Sequence, residues 1–386
     1  MQLYGKVVRD IEEQRKIPPF GDDVMSGVHV CEVIKTLDVG GAEVLLVERL
    51  LAAPPSDKRY TVVCLRASTA ELIGRLQSAG IRVVDLTPCP RPLRPVRLVR
   101  EIRQLEPDVL NIHSPLPASL LRPVSRLWKS RPVLVSTVHN VRYRALTMLL
   151  DRATAWLDTR TVAVSSQVAD APTSSHARGL STRVHGVRVA EQRRWALQSE
   201  RTRREWGVPD VAFLVVHVAN FRTQKNHELL IEAAAKVVAR EPRALFLLAG
   251  SGPLYEPMAR RVADLGLNGV RLVGHVAEAG RLIAAADLLV LSSFYEGLPV
   301  VVMEALAAEV PVVSTAVGGV PDLIEHGRNG LLTRPGDPDA LAEGILRAMH
   351  PEVHARLREG TRNSAELVDI SRTAEWFDKL YDEVCS

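Results

Sequence analysis

Two series of short apolar runs, each run followed by a stretch of helical periodicity, constrain this chain more than any other feature it has. The first series occupies residues 28–34, 60–65, 81–86, 109–113, 133–138 and 161–164, and the second residues 213–218, 244–248, 270–273, 288–291 and 311–314. Short runs that are apolar nearly throughout suit strands covered on both faces. The segments between them, 228–240 and 254–265 among them, repeat apolar residues at the spacing of an amphipathic helix. Alternating strands and helices predict the α/β class, with parallel sheets wrapped by helices on both sides. Between the two series lies a charged stretch, residues 189–209, that holds Arg193, Arg194, Glu200, Arg201, Arg203 and Arg204. We read it as a linker and the helix that opens a second domain.

At 386 residues the chain exceeds what one core usually holds, and a hydrophobic content of 46% is enough for two. The pattern predicts a first doubly wound domain at 28–190, a second at 208–366, and a last helix within 367–386. In that helix Trp376, Phe377, Leu380 and Tyr381 share one apolar stripe. Residues 1–27 are polar, carry Pro18-Pro19 and Gly21-Asp22-Asp23, and show no apolar period. They are expected to form an extension outside the first core, with Met25 a candidate natural start.

Cys31, Cys64, Cys89 and Cys385 are scattered without a C-x-x-C pair, and no charged segment followed by an apolar one opens the chain. No apolar run reaches the ~20 residues needed to cross a bilayer. The expectation is a reduced, cytoplasmic protein whose membrane contact, if any, is peripheral. A net charge of +4 is mild, and no nucleic-acid partner is expected. Arginines do crowd into residues 91–160, where Arg94, Arg97, Arg100 and Arg103 recur every third position. Because Glu101, Glu106 and Asp108 interrupt that stripe, it reads first as a solvated face and second as a contact for anionic headgroups. A dinucleotide fingerprint would continue Gly250-Ser251-Gly252 to a glycine at 255, but Tyr255 stands there. The D-x-D of Asp337-Pro338-Asp339 reads as a helix N-cap with proline in the first turn.

Two acids and two cations carry the candidate chemistry. Glu296 lies in the loop after the run 288–291, and Glu304 follows about a turn and a half into the next helix, with Pro299 in its first turn. A carboxylate there can accept both hydroxyls of a ribose diol. Arg222 and Lys225 follow the run 213–218 at the mouth of a helix, where cations are disfavoured unless an anion is present. Together they suit a diphosphate, the arginine as a fork and the lysine as a point charge. Gly40-Gly41 and Gly250/Gly252 sit in turns after strands, where backbone can approach a ligand. His113 and His139 end strands at the ligand-facing edge, each open to a structural or a catalytic role. Ser165-Ser166 reads as a helix cap.

The Glu296-x7-Glu304 spacing, with Gly297-Leu298-Pro299 after the first acid, resembles the signature of the retaining glycosyltransferases of family 4. That family has the GT-B fold, two Rossmann-like domains facing a central cleft. The resemblance covers about residues 28–383 and is strongest over 216–332. It implies that Glu296, with Gly297 and Leu298, meets the donor sugar and that Glu304 meets the nucleotide ribose. It assigns Arg222 and Lys225 to the donor diphosphate, Gly40 and Gly41 to a glycine loop between the domains, and His139 to the reacting sugar. The chain departs from the family where Phe221 replaces the glycine before the arginine, and where His185-Gly186-Val187-Arg188 replaces Asn-Gly-Val-Asp. The implied activity moves a hexose or amino-hexose from a nucleoside-diphosphate sugar, by family base rate a uridine one, to an unidentified hydroxyl acceptor. Neither metal nor cofactor is expected, since fixed cations can take the metal's place. The rival readings are a nucleotide-sugar epimerase of the same fold and a non-catalytic basic binding protein. A glycosidase built on the two acids would leave Arg222 and Lys225 without a purpose.

Overall fold

The computed structural model describes residues 27–38, 40–141 and 143–386. The expected extension, with Met25, lies outside the described residues except for Gly27. Seven strands form the first sheet: β1 His29–Thr36, β2 Arg59–Arg66, β3 Arg82–Asp85, β4 Val109–Ile112, β5 Val133–Val138, β6 Arg160–Ala163 and β7 Leu180–Thr182. All are parallel, in the order β3-β2-β1-β4-β5-β6-β7. Six more form the second: β8 Phe213–Val218, β9 Ala244–Ala249, β10 Val270–Gly274, β11 Leu288–Leu291, β12 Val312–Thr315 and β13 Gly330–Thr333. They too are parallel, in the order β10-β9-β8-β11-β12-β13.

Two strands have no counterpart in the apolar pattern, and both are edges. β7 has exposed ends and no apolar run, and β13 offers only Leu331 and Leu332 between a glycine and a threonine. An edge strand needs less apolar surface than a central one, so its sequence signal is weak. The charged stretch between the series holds two short helices, Val189–Ala196 and Ser199–Glu205, where one was expected. Pro299 precedes the helix Val300–Ala307 with ψ 111°, so it occupies the N-cap and not the first turn.

The halves are not independent globules. One apolar cluster joins Leu45, Ala163, Val164 and Val168 of the first to Leu298, Val302 and Met303 of the second. The chain also crosses between them twice at the same place. Val187 donates its amide to Val368 O at 2.8 Å and accepts from Ile370 N at 3.0 Å. Gly186 permits this approach, since a Cβ there would stand 2.5 Å from Val368 O. The helix Ile370–Cys385 then returns to the first sheet, packing Phe377, Leu380 and Tyr381 against Val30, Val109, Val135 and Val162. Lys58 fastens it through Asp378 at 3.0 Å and Asp382 at 2.7 Å. Among the described residues no helix is long and apolar enough to cross a membrane.

Candidate active site

In the second sheet, β8 is followed in space by β9 on one side and β11 on the other. The loops after β8 and β11 therefore leave the same carboxyl edge side by side, at the switch point where open α/β sheets bind ligands. Arg222 and Lys225 lie on the first loop and Glu296 on the second, and the two are braced together. Phe294 N donates to Gln224 O at 2.9 Å, Gln224 Nε2 to Tyr295 O at 2.9 Å, and Ser292 Oγ to Lys225 O at 2.9 Å. Across this brace Lys225 Nζ reaches Glu296 Oε1 at 2.6 Å, and Ser293 Oγ donates to the same oxygen at 2.6 Å. Glu296 is buried, and its pairing with a cation and a hydroxyl is what makes a buried carboxylate tolerable. Arg222 is exposed and makes no ion pair among the described residues.

The path of the Arg222 loop follows from three residues. Phe221 turns inward, fully buried, with its ring stacked on His227 at 3.9 Å between centroids and edge-on to Tyr255 at 5.0 Å. Its amide donates to Ser251 O at 2.9 Å. Gly250 and Gly252, at φ +144° and +149°, make the approach possible, since Cβ atoms there would stand 1.9 Å from Ala219 O and 2.6 Å from Phe221 O. Their first task is thus to seat the Arg222 loop. Phe221 does not displace the loop from the edge, because its bulk goes into the core.

Glu304 is the fifth residue of Val300–Ala307 and stands apart from the Lys225–Glu296 pair. Its carboxyl makes no hydrogen bond or ion pair among the described residues. Burial, then the nearby carboxylates of Glu48 and Glu191, push its pKa up to about 7. Arg188 does not relieve this, being engaged by Glu48 at 2.6 Å and Glu191 at 3.0 Å. A carboxyl so placed has hydrogen-bonding capacity unspent by the protein.

From the first half, Gly41 meets the same helix, its Cβ position 3.7 Å from Val300 Cγ2, and Gly40 caps the helix Gly41–Leu51 in extended conformation. Glu43 sits over Gly40 and accepts from Thr36 Oγ1 at 2.5 Å. His139, directly after β5, is 6 % exposed, and its carbonyl would touch a Cβ at Gly297 at 2.1 Å. Ser166 N donates to Asp322 Oδ2 at 2.7 Å across the same seam, and Ser165 caps its helix by accepting from Val168 N at 3.2 Å.

The structure thus gathers Lys225, Glu296, Gly297, Leu298 and His139 at one seam, with Glu304 on the adjoining helix Val300–Ala307 and Gly41 packed against that helix from the first half. Sequence reasoning passed over Gly318 and Gly319, whose Cβ positions would strike Glu296 O at 2.3 Å and Gly297 O at 2.7 Å. A glycine pair with two residues between it and the end of a strand was the available signal. It also passed over Ser293, Glu48 and Asp322. Asp337 accepts from Ala340 N at 2.9 Å and is an N-cap, as its spacing predicted. The arginine stripe of the helix Arg94–Leu105 is not one free surface: Arg94 donates to Thr87 O at 2.8 Å and Cys89 O at 3.0 Å, and Arg97 pairs with Glu101 at 2.5 Å.

Known families divide the chain at the same seam. Residues 27–185 match the model described as Glycosyltransferase Family 4, and residues 198–366 match that described as Glycosyl transferases group 1. The chain belongs to glycosyltransferase family 4. Among its relatives, N-acetyl-alpha-D-glucosaminyl L-malate synthase of Bacillus anthracis is 30% identical over 185 residues, 47% of this chain and 48% of that one. D-inositol 3-phosphate glycosyltransferase of Corynebacterium efficiens is 31% identical over 195 residues, 48% and 46% of the two chains. The chain thus spans about half the length of the curated relatives it matches. Over the whole fold, Anabaena HepE, solved with UDP and glucose, superposes with a TM-score of 0.82 at 21% identity, covering 92% of this chain and all of that one. Sucrose-phosphate synthase of Thermosynechococcus elongatus gives 0.75 at 18% identity, covering 92% and 99%. These likenesses establish the GT-B fold for this family 4 chain.

Proposed function

We propose that this protein transfers a hexose or amino-hexose from a nucleoside-diphosphate sugar to a hydroxyl acceptor, with retention at the anomeric carbon and without a metal. The observation that carries the reading is the braced pair of loops at the β8/β11 switch point. It presents a lysine, a paired carboxylate and an exposed arginine beside a helix whose Glu304 has no protein partner among the described residues. The uridine nucleotide is favoured because HepE was solved with UDP.

In this reading Glu304 holds the ribose diol, and Arg222 and Lys225 meet the diphosphate. When the anomeric C–O bond breaks, its electron pair goes to the departing diphosphate, and fixed cations there stabilise the transition state more than the ground state. The acceptor hydroxyl attacks the same face, and its proton passes to the leaving phosphate oxygen. Glu296 orients Lys225 and lies against the donor sugar. His139 faces the sugar from the first half.

The reading is tested by screening nucleoside-diphosphate sugars for thermal protection. The protecting donor is then incubated with small hydroxyl acceptors, and the anomeric configuration of the product is read by NMR. Protection by a UDP-sugar and an unchanged anomeric configuration are expected. Inversion, or an altered sugar without acceptor, would overturn it.

A further inference from the structure

Beneath His139 runs a buried chain of polar groups that the mechanism above does not use. His113 Nδ1 lies 2.9 Å from His139 Nε2, and His113 Nε2 lies 2.7 Å from Glu32 Oε2. The other oxygen of Glu32 accepts from Arg49 at 2.6 Å and from the Tyr381 hydroxyl at 2.8 Å. Asn111 Nδ2 donates to that hydroxyl at 2.9 Å, and Thr137 Oγ1 donates to Asn111 Oδ1 at 3.0 Å. Glu32, Arg49, Asn111, His113 and Tyr381 are all at least 96 % buried.

The order of donors in this chain is fixed at its inner end. Burial alone would raise the pKa of Glu32, but Arg49 and the hydrogen bond from His113 outweigh it and hold the carboxyl at about 2. An ionised Glu32 only accepts, so His113 donates from Nε2. Arg49 already balances the charge of Glu32, and a second proton on His113 would be an uncompensated buried cation. The bare Nδ1 of His113 must therefore accept, and His139 donates to it from Nε2. Burial, then His113, His185 and Arg49, keep His139 well below the ordinary histidine pKa, so its ring is neutral. His185, 6.0 Å away between ring centroids, is likewise lowered, to about 3, and hydrogen-bonds to neither His139 nor Glu32.

We propose that Glu32 and His113 are positioning residues that lock His139 in the Nε2–H tautomer, leaving its Nδ1 as a hydrogen-bond acceptor for a hydroxyl of the bound sugar. This inference rests on the transferase reading for the identity of the ligand group, which is a donor such as a sugar hydroxyl and not a carboxylate. The tautomer itself does not rest on that reading. The return helix enters the arrangement through Tyr381, which ties the last segment of the chain to the orientation of a ring at the cleft.

The test combines a spectroscopic and a kinetic readout on the full chain. Long-range proton–nitrogen NMR of 15N-histidine-labelled protein, with His139→Gln to assign the signal, reports which nitrogen of His139 carries the proton. Nε2–H is expected in the wild type without any ligand. His113→Phe removes both ring nitrogens at similar volume; it should abolish the single tautomer and lower kcat roughly tenfold or more, with UDP affinity unchanged. His113→Asn, whose amide oxygen can accept in place of Nδ1, should keep the tautomer and most of the rate. Should His113→Phe fail to fold, the wild-type spectrum and His113→Asn still decide. A wild-type proton on Nδ1, or a His113→Phe protein with unaltered tautomer and kcat, overturns the proposal. A wild type that turns over no nucleotide sugar would sink the transferase reading, while the spectrum would still answer for the tautomer of His139.

Discussion

Lys225 Nζ and Glu296 Oε1 lie 2.6 Å apart and tie the loop after β8 to the loop after β11. In the proposed reaction, each group holds the other where the leaving diphosphate would pass. Lys225→Met removes the cation and strands a buried carboxylate, so turnover should fall by about 100-fold or more, with weaker UDP binding. Glu296→Gln can keep a hydrogen bond with Ser293 and frees the ammonium. UDP affinity should then stay the same or tighten while turnover falls by a similar factor. Calorimetric titration with UDP beside turnover separates the two; weaker UDP binding by Glu296→Gln would contradict this division of labour.

Glu304 gives a pH signature. Its pKa is raised to about 7 by burial and by Glu48 and Glu191, so near neutrality only part of the population is ionised. The carboxylate accepts two hydroxyl hydrogen bonds at once, and the protonated acid does so less well. UDP affinity should therefore rise as pH increases through about 7, with a proton released on binding. The stability effect has the opposite sense. A raised folded-state pKa favours the fold while the group is protonated, and that contribution is lost as pH climbs through the folded value. Glu304→Gln should flatten both dependences and weaken UDP binding by roughly 1 to 3 kcal/mol. An unchanged affinity profile in that variant would remove Glu304 from the ribose.

Much of this was legible in the sequence, and the reasons are specific. Leu288–Leu291 is a buried central strand that is apolar throughout, and Phe213–Val218 is one that is apolar but for His217, so their ends could be read directly and the loops bearing Glu296 and Arg222 placed. The edge strands β7 and β13 left no such mark. Glu32 did leave one, a charge inside the apolar run 28–34, but its meaning depended on residues 17, 81 and 349 positions away. The stripe of the last helix showed that Tyr381 would be buried; only the fold could show that its hydroxyl meets Glu32. Long-range polar partners have no local period, which is why the buried network stayed hidden while the strands did not.

Two glycines make a controlled pair. Gly297 faces His139 O, where an added Cβ would stand 2.1 Å away, whereas Gly74 lies within the helix Glu71–Ser78 with nothing within 4 Å. Gly297→Ala must push the seam apart, because both sides are backbone. It should cost activity tenfold or more by displacing the catalytic groups about an ångström. Gly74→Ala should raise stability by ~0.5 to 1 kcal/mol through helix propensity and leave activity alone. Denaturant titrations and turnover of both proteins check the contrast, and a fully active Gly297→Ala would show that the seam is open in catalysis.

Acid should dismantle the network under His139 before it disturbs the second sheet. The folded-state pKa of Glu32, about 2, lies below its ordinary value of 4.5 because Arg49 and His113 outweigh the effect of burial. A depressed carboxyl stabilises the fold at pH above the unfolded value, and this is lost as pH falls from about 4.5 toward 2. Glu32→Gln leaves Arg49 buried without its counter-charge, a change that costs ~3 to 5 kcal/mol at neutral pH. The gap between wild type and Glu32→Gln should narrow as pH drops below about 4.5, since only the wild type has an ionised Glu32 to lose. Adding Arg49→Met to Glu32→Gln should recover much of the neutral-pH loss, because neither charge is then left alone. Urea unfolding of the three proteins at pH 7, 5 and 3 measures all of this. A gap of constant size across that range would mean that Glu32 is not ionised in the native protein, and the order of donors leading to His139 would then have to be reversed.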